Sequence, residues 1–169
     1  GVQTCALPIY LSNPSEVTKL LQSATEEIGP INHLVNNASR FVHDDIESVD
    51  SESWSSHMDV NARAPMLLTR ALLELLPDSA VGSVVNVLDQ KIADPNPDHL
   101  SYTASRYALL GLTDALARGL TPRLRINAVA PGHTLASGEQ TAKGFERAQT
   151  ESPDRKSTRL NSSHQIISY

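Results

Sequence analysis

Apolar residues recur along this chain with a helical period in long stretches that are separated by short, continuous apolar runs. The helical stretches run from Pro14 to Ile28, from about Ser51 to Leu76 and from about Ser101 to Leu120, and each ends near a proline or glycine that stops a helix. The runs between them are rich in β-branched residues, which is typical of buried strands. They comprise Ile31 to Val35, Ser83 to Leu88 and Leu124 to Ala130, and a short polar helix is predicted from Glu139 to Gln149.

This alternation predicts an α/β fold, a three-layer, Rossmann-type, doubly wound parallel sheet covered by helices on both faces. In such sheets ligands bind beyond the carboxyl ends of the strands. We therefore expect the functional site where the predicted strands end. The segments delivered to that edge are Asn36 to Ser39, then Asp89, then Pro131 to Thr134.

Three side chains carry the most specific signal. Asp89 follows the second predicted strand, Tyr102 comes thirteen residues later, and Arg106 lies four residues beyond Tyr102. Four residues are about one helical turn, so the phenol and the guanidinium lie side by side. A cation beside a phenol lowers the pKa of the phenol and favours loss of its proton. The spacing predicts a tyrosine that acts as a general acid.

The long second helix carries a polar interruption in an apolar seam. Asn61 lies four residues before Pro65, which has no backbone N–H to donate to the Asn61 carbonyl and distorts the helix. Two interpretations stay open at this point. Asn61 either satisfies the distorted helix, as buried polar groups must be satisfied, or belongs to the site.

The two ends of the chain lack a period that continues into their neighbours, and both resemble translated sequencing-adapter sequence. We expect residues 1–9 to be a non-native leader and residues 154–169 to be a non-native, disordered tail. Ordinary flexible termini are the alternative. The interpretable domain is then residues 10–153.

Composition narrows the classes of function. The formal net charge of −5 and the lack of a basic stripe argue against nucleic acid or an anionic membrane as a partner. No apolar run approaches the roughly 20 residues that span a bilayer. The single cysteine, Cys5, lies in the leader, and the histidines show no metal-ligand spacing. We expect a cytoplasmic protein without a metal site.

The order and spacing of the singled-out residues resemble the short-chain dehydrogenase/reductase family over nearly all of residues 10–153. Members of that family use a nicotinamide cofactor, a tyrosine acid with a lysine four residues later, a serine thirteen residues before the tyrosine, and an asparagine on the preceding long helix. The resemblance implies catalytic roles for Asn61, Asp89, Tyr102 and Arg106. It rests on Asn36-Asn37-Ala38-Ser39, Asn61, Asp89, Tyr102 with Arg106, and Pro131-Gly132.

Two details resemble the pteridine reductase branch of that family. Asp89 stands at the family's serine position, and Ser39 and Phe41 lie in the stretch that surrounds the pterin ring in pteridine reductases. The branch implies that Ser39, Phe41, Asp89 and Tyr102 bind the substrate, with Phe41 stacked on the flat heterocycle. Core packing at the start of a loop is the alternative for Phe41.

The resemblance also implies the reaction. Hydride would pass from NADPH, or from NADH, to a pterin C=N carbon, Tyr102 with Asp89 beside it would protonate the neighbouring nitrogen, and Asn61 would hold a water on the path from solvent. Family members commonly form tetramers through two long helices, which are residues 51–76 and 101–120 here. The cofactor-binding residues implied are Asn36, Asn37, Ala38, Ser39, Tyr102, Arg106, Pro131, Gly132 and Thr134.

Departures from the family lead to further expectations. Arg106 replaces a lysine that contacts the nicotinamide ribose and moves protons, whereas arginine stays protonated and needs room for a planar fork. We expect reduced activity in the intact parent protein. The family's first strands with their glycine-rich turn, and its last strand, find no counterpart in this sequence. We expect an incomplete domain that binds dinucleotide poorly as this polypeptide.

Two other functions fit the sequence. A reductase of the same family that acts on a ketone or an alcohol would carry Asp89 as an incidental replacement. A catalytically inactive scaffold subunit would account for Arg106. The residues that choose NADP over NAD have no counterpart in this chain, so the sequence leaves that choice open.

Overall fold

A computed structural model describes residues 10–132 and 165–167 of the chain. Helices and strands alternate through the first of these ranges, as the sequence predicts. The predicted polar helix from Glu139 to Gln149 lies outside the described residues. The elements are α1 (Pro14–Ile28), β1 (His33–Asn36), α2 (Ser51–Met58), a π-helical segment (Asp59–Arg63), α3 (Ala64–Leu75), β2 (Gly82–Val87), a 3-10 turn (Gln90–Ile92), α4 (Leu100–Leu120), β3 (Leu124–Ala130) and β4 (Gln165–Ile167).

The described strands form one sheet in the order β1-β2-β3-β4. The first three are parallel, with Leu34 opposite Val84 and Val84 opposite Ile126. Helices connect each parallel pair, as parallel strands require a long crossover connection. The predicted α/β fold with a Rossmann-type parallel sheet is confirmed.

Three of the described helices, α1, α3 and α4, pack against one face of the sheet. Val84 and Ile126 are opposite each other and fully buried, and they pack in one cluster with Val17 of α1, Leu72 of α3 and Ala117 of α4. β1, β2 and β3 follow one another in a single direction across the sheet, and crossovers of one hand then place their helices on the same side. The described part of the chain therefore has one helical layer, where the sequence predicts two.

The fourth strand comes from the segment that the sequence analysis set aside as a disordered tail. Gln165 lies opposite Ala130 and Ile167 opposite Ala128, in antiparallel pairing with β3. An open sheet edge presents unpaired N–H and C=O groups that an extended segment can satisfy. For these three residues the structure differs from the predicted disordered tail.

The long second helix is not continuous α-helix. α2 ends at Met58, and the five residues Asp59–Arg63 are π-helical before α3 begins. Pro65 offers no N–H to a carbonyl four residues back, and the Ala64 N–H bonds to the Asp59 carbonyl, five residues back. The distortion expected near Pro65 is thus a π-helical segment, a feature that is frequent at functional sites.

Candidate active site

Asp89, Tyr102 and Arg106 come together at the carboxyl edge of the sheet. The Tyr102 hydroxyl donates a hydrogen bond to Asp89, with 2.8 Å between Oη and Oδ2. The guanidinium carbon of Arg106 lies 4.9 Å from the centre of the Tyr102 ring. The predicted juxtaposition is present because one turn of α4 carries both the phenol and the cation, and β2 ends beside them.

The surroundings of Tyr102 keep its hydroxyl protonated. Burial is the largest influence and raises the pKa of Tyr102 to about 12, against a lowering by the Arg106 charge and with a further raising by Asp89. A cation beside the phenol is predicted to lower this pKa, and the contribution of Arg106 has that sign. The net shift is upward because burial and the carboxylate outweigh the cation. At neutral pH such a phenol is a proton donor.

The guanidinium of Arg106 is held by protein atoms in a buried position. Its Nη1 donates to the Val87 carbonyl at 3.0 Å, and its Nη2 donates to the Ser39 hydroxyl. Its Nε is buried and has no partner among the described residues. The planar fork therefore ties the ends of β1 and β2 together beside Tyr102, with one buried donor unused.

The segment from Asn36 to Ser39, predicted as part of the cofactor wall, follows β1 at the same edge. Asn36 is buried, and its Nδ2 donates to Oδ1 of Asn86 at 2.8 Å, while its own Oδ1 has no partner among the described residues. Asn37, Ala38 and Ser39 are exposed. Asn36 thus belongs to the polar interior between the strands, and the three residues after it form the accessible part of the segment.

Asn61 is fully buried in the π-helical segment and clamps the backbone next to the site. Its Oδ1 accepts from the Arg40 N–H at 2.8 Å, and its Nδ2 donates to the Arg40 carbonyl and to the Ser105 hydroxyl, both at 2.9 Å. These contacts hold the chain between Ser39 and Phe41 against α4. Both interpretations from the sequence therefore have a physical basis, since Asn61 is a satisfied buried group and also fixes a site segment.

Phe41, predicted to stack on a substrate ring, lies beside Tyr102 and is 47 % exposed. The two ring centres are 4.7 Å apart with an interplanar angle of 83°. One face of Phe41 is already stacked on His99, at 4.1 Å and 16°. Phe41 thus lies between His99 and Tyr102 and is still partly exposed to a ligand.

His99 is a site residue that the sequence analysis missed. It immediately precedes α4, and its φ of 51° lies in the left-handed region, which is uncommon for a residue other than glycine. Its Nδ1 lies 3.3 Å from the Val42 carbonyl oxygen. The one sequence feature that sets His99 apart is its position at the start of a helix, where Ser, Thr, Asp or Asn is usual.

Pro131 and Gly132 follow β3 at the same edge of the sheet and are half-buried. Thr134, predicted with them, lies outside the described residues. Over residues 10–132 and 165–167 no group of three or more His, Cys, Asp and Glu side chains is placed to hold a metal ion. In the same part of the chain no helix has the length and apolar character needed to cross a membrane.

A family comparison matches this chain over most of its length. The family model described as short chain dehydrogenase matches residues 1–146. The matched range includes residues 1–9, which the sequence analysis set aside as a leader.

The chain is similar to individual proteins of known name, among them one with a solved structure and two curated relatives. The crystal structure of FolM alternative dihydrofolate reductase 1 from Brucella canis, complexed with NADP, is 40 % identical with a TM-score of 0.82, and the match covers 88 % of this chain and 59 % of that one. Human dehydrogenase/reductase SDR family member 4 is 34 % identical over 134 residues, covering 78 % of this chain and 48 % of the relative. Dihydromonapterin reductase from an Enterobacter species is 31 % identical over 121 residues, covering 70 % and 50 %. The chain spans about half the length of the curated relatives it matches.

Proposed function

The chain belongs to the short-chain dehydrogenase family, and we propose that the protein carrying it uses NADPH to reduce a C=N bond of a pterin or dihydropteridine. The observation that carries the proposal is the hydrogen bond of 2.8 Å from the Tyr102 hydroxyl to Asp89, formed next to the partly exposed ring of Phe41. Similarity to a FolM alternative dihydrofolate reductase, at 40 % identity, and to a dihydromonapterin reductase, at 31 %, supports pterin chemistry.

Tyr102 is the proton donor in this proposal. Its phenol is protonated at neutral pH, as a tyrosine of ordinary pKa already is, and burial raises its pKa further, to about 12. A pterin nitrogen that gains negative charge within hydrogen-bond reach of Oη accepts this proton, and a positioned donor of this kind contributes about 10² to 10⁴ in rate. Asp89 is half-buried and accepts from both Tyr102 Oη and the Lys91 N–H. It orients the hydroxyl and connects it to solvent for reprotonation.

Phe41 and Ser39 orient the substrate. The exposed part of Phe41 stacks on the flat heterocycle, and aromatic pairs of this kind contribute about 0.5–1.5 kcal/mol beyond area burial. Ser39 is exposed at the same edge, and its hydroxyl is held in place by Arg106. A ring lying on Phe41 is therefore close to both a hydroxyl group and the phenolic donor.

The residues at the sheet edge fit a nicotinamide dinucleotide in their chemistry. Asn36 Oδ1 and Arg106 Nε are buried polar atoms that lack partners among the described residues, and the three residues that follow Asn36 are exposed. Bound NADPH supplies the hydride. Complexes of similar proteins with NADP favour NADPH over NADH. We propose that the cofactor is held by Asn36, Asn37, Ala38, Ser39, Tyr102, Arg106, Pro131, Gly132 and Thr134.

The test of this function is a substrate comparison. The complete reading frame that contains this sequence is expressed, and NADPH oxidation is measured with a dihydropterin and with a panel of small ketones and alcohols. We expect turnover with the dihydropterin and much lower kcat/KM with every ketone. Preferential turnover of a ketone or an alcohol would replace the pterin proposal with the carbonyl reductase alternative.

A catalytically inactive scaffold subunit is the second candidate, and one observation favours it. Both terminal nitrogens of Arg106 are bound to protein atoms, Val87 O and Ser39 Oγ, in the position where the family has lysine. Co-purification with a partner that carries the lysine, together with no turnover by the isolated protein, would support the scaffold. Turnover by the isolated protein excludes it.

We also propose that the intact protein assembles as a tetramer through the helical residues 51–76, which begin with α2, and through residues 101–120 of α4. Trp54 on α2 and Tyr107 on α4 are 45 % and 42 % exposed, and the two helices pack against each other. Exposed aromatic side chains of this size are enriched in protein interfaces. Sedimentation of the intact protein with Trp54→Glu tests the proposal, because a charge at the interface is expected to shift the tetramer to smaller species.

A further inference from the structure

The helix that carries Tyr102 lacks a cap of its own. His99 occupies the N-cap position of α4, but its side chain makes no capping hydrogen bond. Its ring is instead stacked on Phe41, at 4.1 Å between ring centres. The first N–H groups of any helix have no partner within the helix and need acceptors from elsewhere.

Asp44, from the loop between β1 and α2, supplies those acceptors. Its backbone carbonyl accepts from the Leu100 N–H at 3.3 Å, and its Oδ1 accepts from the Ser101 N–H at 3.1 Å. Its Oδ2 accepts from the Ser101 hydroxyl and, at 2.6 Å, from the Ser53 hydroxyl. A carboxylate is also the group that the positive end of a helix favours. Asp44 is therefore an N-cap provided by a residue distant in the sequence.

The loop is fastened to the same point by His57 of α2. The Val42 N–H donates to Nε2 of His57 at 3.2 Å, so Nδ1 carries the proton, and Nδ1 lies 3.0 Å from the Ser53 carbonyl and 2.7 Å from Ser101 Oγ. Asp44 and His57 are almost completely buried, at 2 % and 0 % exposed. Asp44 and His57 are buried away from solvent, so they are not placed for a hydrolytic Ser-His-Asp role. Their contacts connect the loop before α2, α2 itself and α4. The cluster consists of Asp44, Ser53, His57 and Ser101.

We propose that Asp44 is a positioning residue that sets where Phe41 and His99 lie relative to the Tyr102 hydroxyl. The expected effect of Asp44 on kinetics rests on the proposed function, whereas its expected effect on structure does not. Phe41 lies three residues before Asp44 in the loop, and Ser101 lies next to Tyr102 on the helix. One carboxylate thus joins the aromatic wall to the acid, and loss of its charge lets the wall and the acid move apart.

The test compares two neighbouring aspartates. Asp44→Asn keeps the shape but removes the charge that binds the Ser53 and Ser101 hydroxyls. Asp45→Asn is the matched control. The hydrogen bonds found for the Asp45 carboxylate come from Glu47 and Ser48, within its own turn. Val17→Ala is a second control that destabilises the core away from the site.

The first readout is the NMR spectrum of the 169-residue chain with labelled tyrosine and phenylalanine. We expect Asp44→Asn to shift the Tyr102 and Phe41 ring resonances, because their ring centres are 4.7 Å apart and each senses the other's ring current. Asp45→Asn and Val17→Ala are expected to leave both in place. If Asp44→Asn does not fold, Ser53→Ala, which removes a single donor, is expected to give smaller shifts of the same kind.

The second readout is kinetic, in the intact protein. Asp44→Asn is expected to lower kcat/KM for the dihydropterin by about 10-fold to 100-fold, the size of effect that a misplacement of about 1 Å produces, with unchanged affinity for NADPH. Folded Asp44→Asn with resonances and kcat/KM equal to those of Asp45→Asn overturns the proposal. Wild-type protein that reduces no dihydropterin removes the proposed function instead, and the NMR comparison then decides the role of Asp44 alone.

Discussion

Asp44 and Asp89 accept hydrogen bonds from consecutive residues of α4, yet their surroundings differ. Asp44 is buried, and its carboxylate binds two hydroxyls and one N–H. Asp89 is half-buried, and its oxygens receive the Tyr102 hydroxyl and the Lys91 N–H.

The two carboxylates also differ in whether the buried polar atoms around them have hydrogen-bond partners. No polar side-chain atom of Asp44, Ser53, His57 or Ser101 is among the buried atoms left without a partner in the described residues. Arg106 Nε is such an atom, and its guanidinium lies over the ring of Tyr102, the donor to Asp89. A fully satisfied polar network fixes a position, whereas a network with unused capacity can take up a ligand or a proton. The comparison therefore favours a supporting role for Asp44 and is consistent with the chemical role proposed for Asp89.

Removal of the Tyr102 hydroxyl gives the largest expected effect. Tyr102→Phe deletes the proton donor, so we expect kcat for dihydropterin reduction to fall by about 10² to 10⁴. Substrate affinity should change little, because the ring and its contact with Phe41 remain. Steady-state kinetics with NADPH measures this, and Tyr107→Phe on the same helix is the control. A Tyr102→Phe enzyme with wild-type kcat would assign the proton to another group.

The two carboxylates should differ in their contribution to stability. Asp44→Ala leaves buried hydroxyl and N–H donors without an acceptor, at a cost of about 1–3 kcal/mol for each unsatisfied group. Asp89→Ala should cost less, since water reaches a half-buried site. Urea unfolding of both variants measures the difference. Equal losses, or a larger loss for Asp89→Ala, would break the distinction between support and chemistry.

Arg106→Lys tests how the cation in the site is used. A lysine releases the Val87 carbonyl and the Ser39 hydroxyl from the guanidinium fork and frees an ammonium for the cofactor. We expect turnover to rise about tenfold, which is the contribution of one good hydrogen bond in the transition state. Unchanged turnover would mean that the arginine is accommodated as it stands.

The smallest expected effect is the pH dependence that His57 confers. Burial lowers the pKa of His57 below its ordinary value of 6.5. As the pH falls, His57 is therefore protonated at a higher pH in the unfolded chain than in the folded chain. The stability that His57 contributes is complete above about pH 6.5 and is lost as the pH falls through the folded-state pKa. Thermal unfolding between neutral and mildly acidic pH should show this loss in the wild type and less of it in His57→Gln. His43→Gln, at an exposed position, is the matched control.

At lower pH the loss of stability should come from Asp44. Burial alone would raise the pKa of Asp44, but hydrogen bonds from Ser101 and Ser53 outweigh it and hold the pKa below its ordinary value of 3.8. The contribution of Asp44 is therefore present above about pH 3.8 and disappears as the pH falls through its folded-state pKa. Acid unfolding of Asp44→Asn should lack this component.

The sequence predicts the local parts of the site well. Tyr102 and Arg106 are one helical turn apart, and Asp89 ends a strand whose direction the apolar pattern fixes, so their meeting follows from short-range geometry. The direction of the Tyr102 pKa shift does not follow from spacing, because burial depends on how the whole fold packs around the ring. The single described helical layer likewise depends on the order of the strands in the sheet.

The support of the site was beyond sequence reasoning. Asp44 and Ser101 are 57 residues apart, and no local sequence pattern predicts that a loop aspartate caps a distant helix. His99 adopts a left-handed φ of 51°, which is uncommon for a residue other than glycine and which no local sequence pattern predicts. Asn61 was recognised as unusual from Pro65, but its clamp on the Arg40 backbone required the folded loop.

The most direct test of the account is the titration of Tyr102 itself. Carbon-labelled tyrosine in the 169-residue chain reports the phenol of Tyr102 by NMR, with Tyr102→Phe to assign its signal. A pKa of about 12 predicts that Tyr102 stays protonated at every pH at which the protein is folded, past the point near pH 10 where an ordinary tyrosine loses its proton. A Tyr102 that ionises at or below about pH 10 in the folded chain would contradict the claim that burial and the Asp89 carboxylate outweigh the Arg106 cation around its hydroxyl.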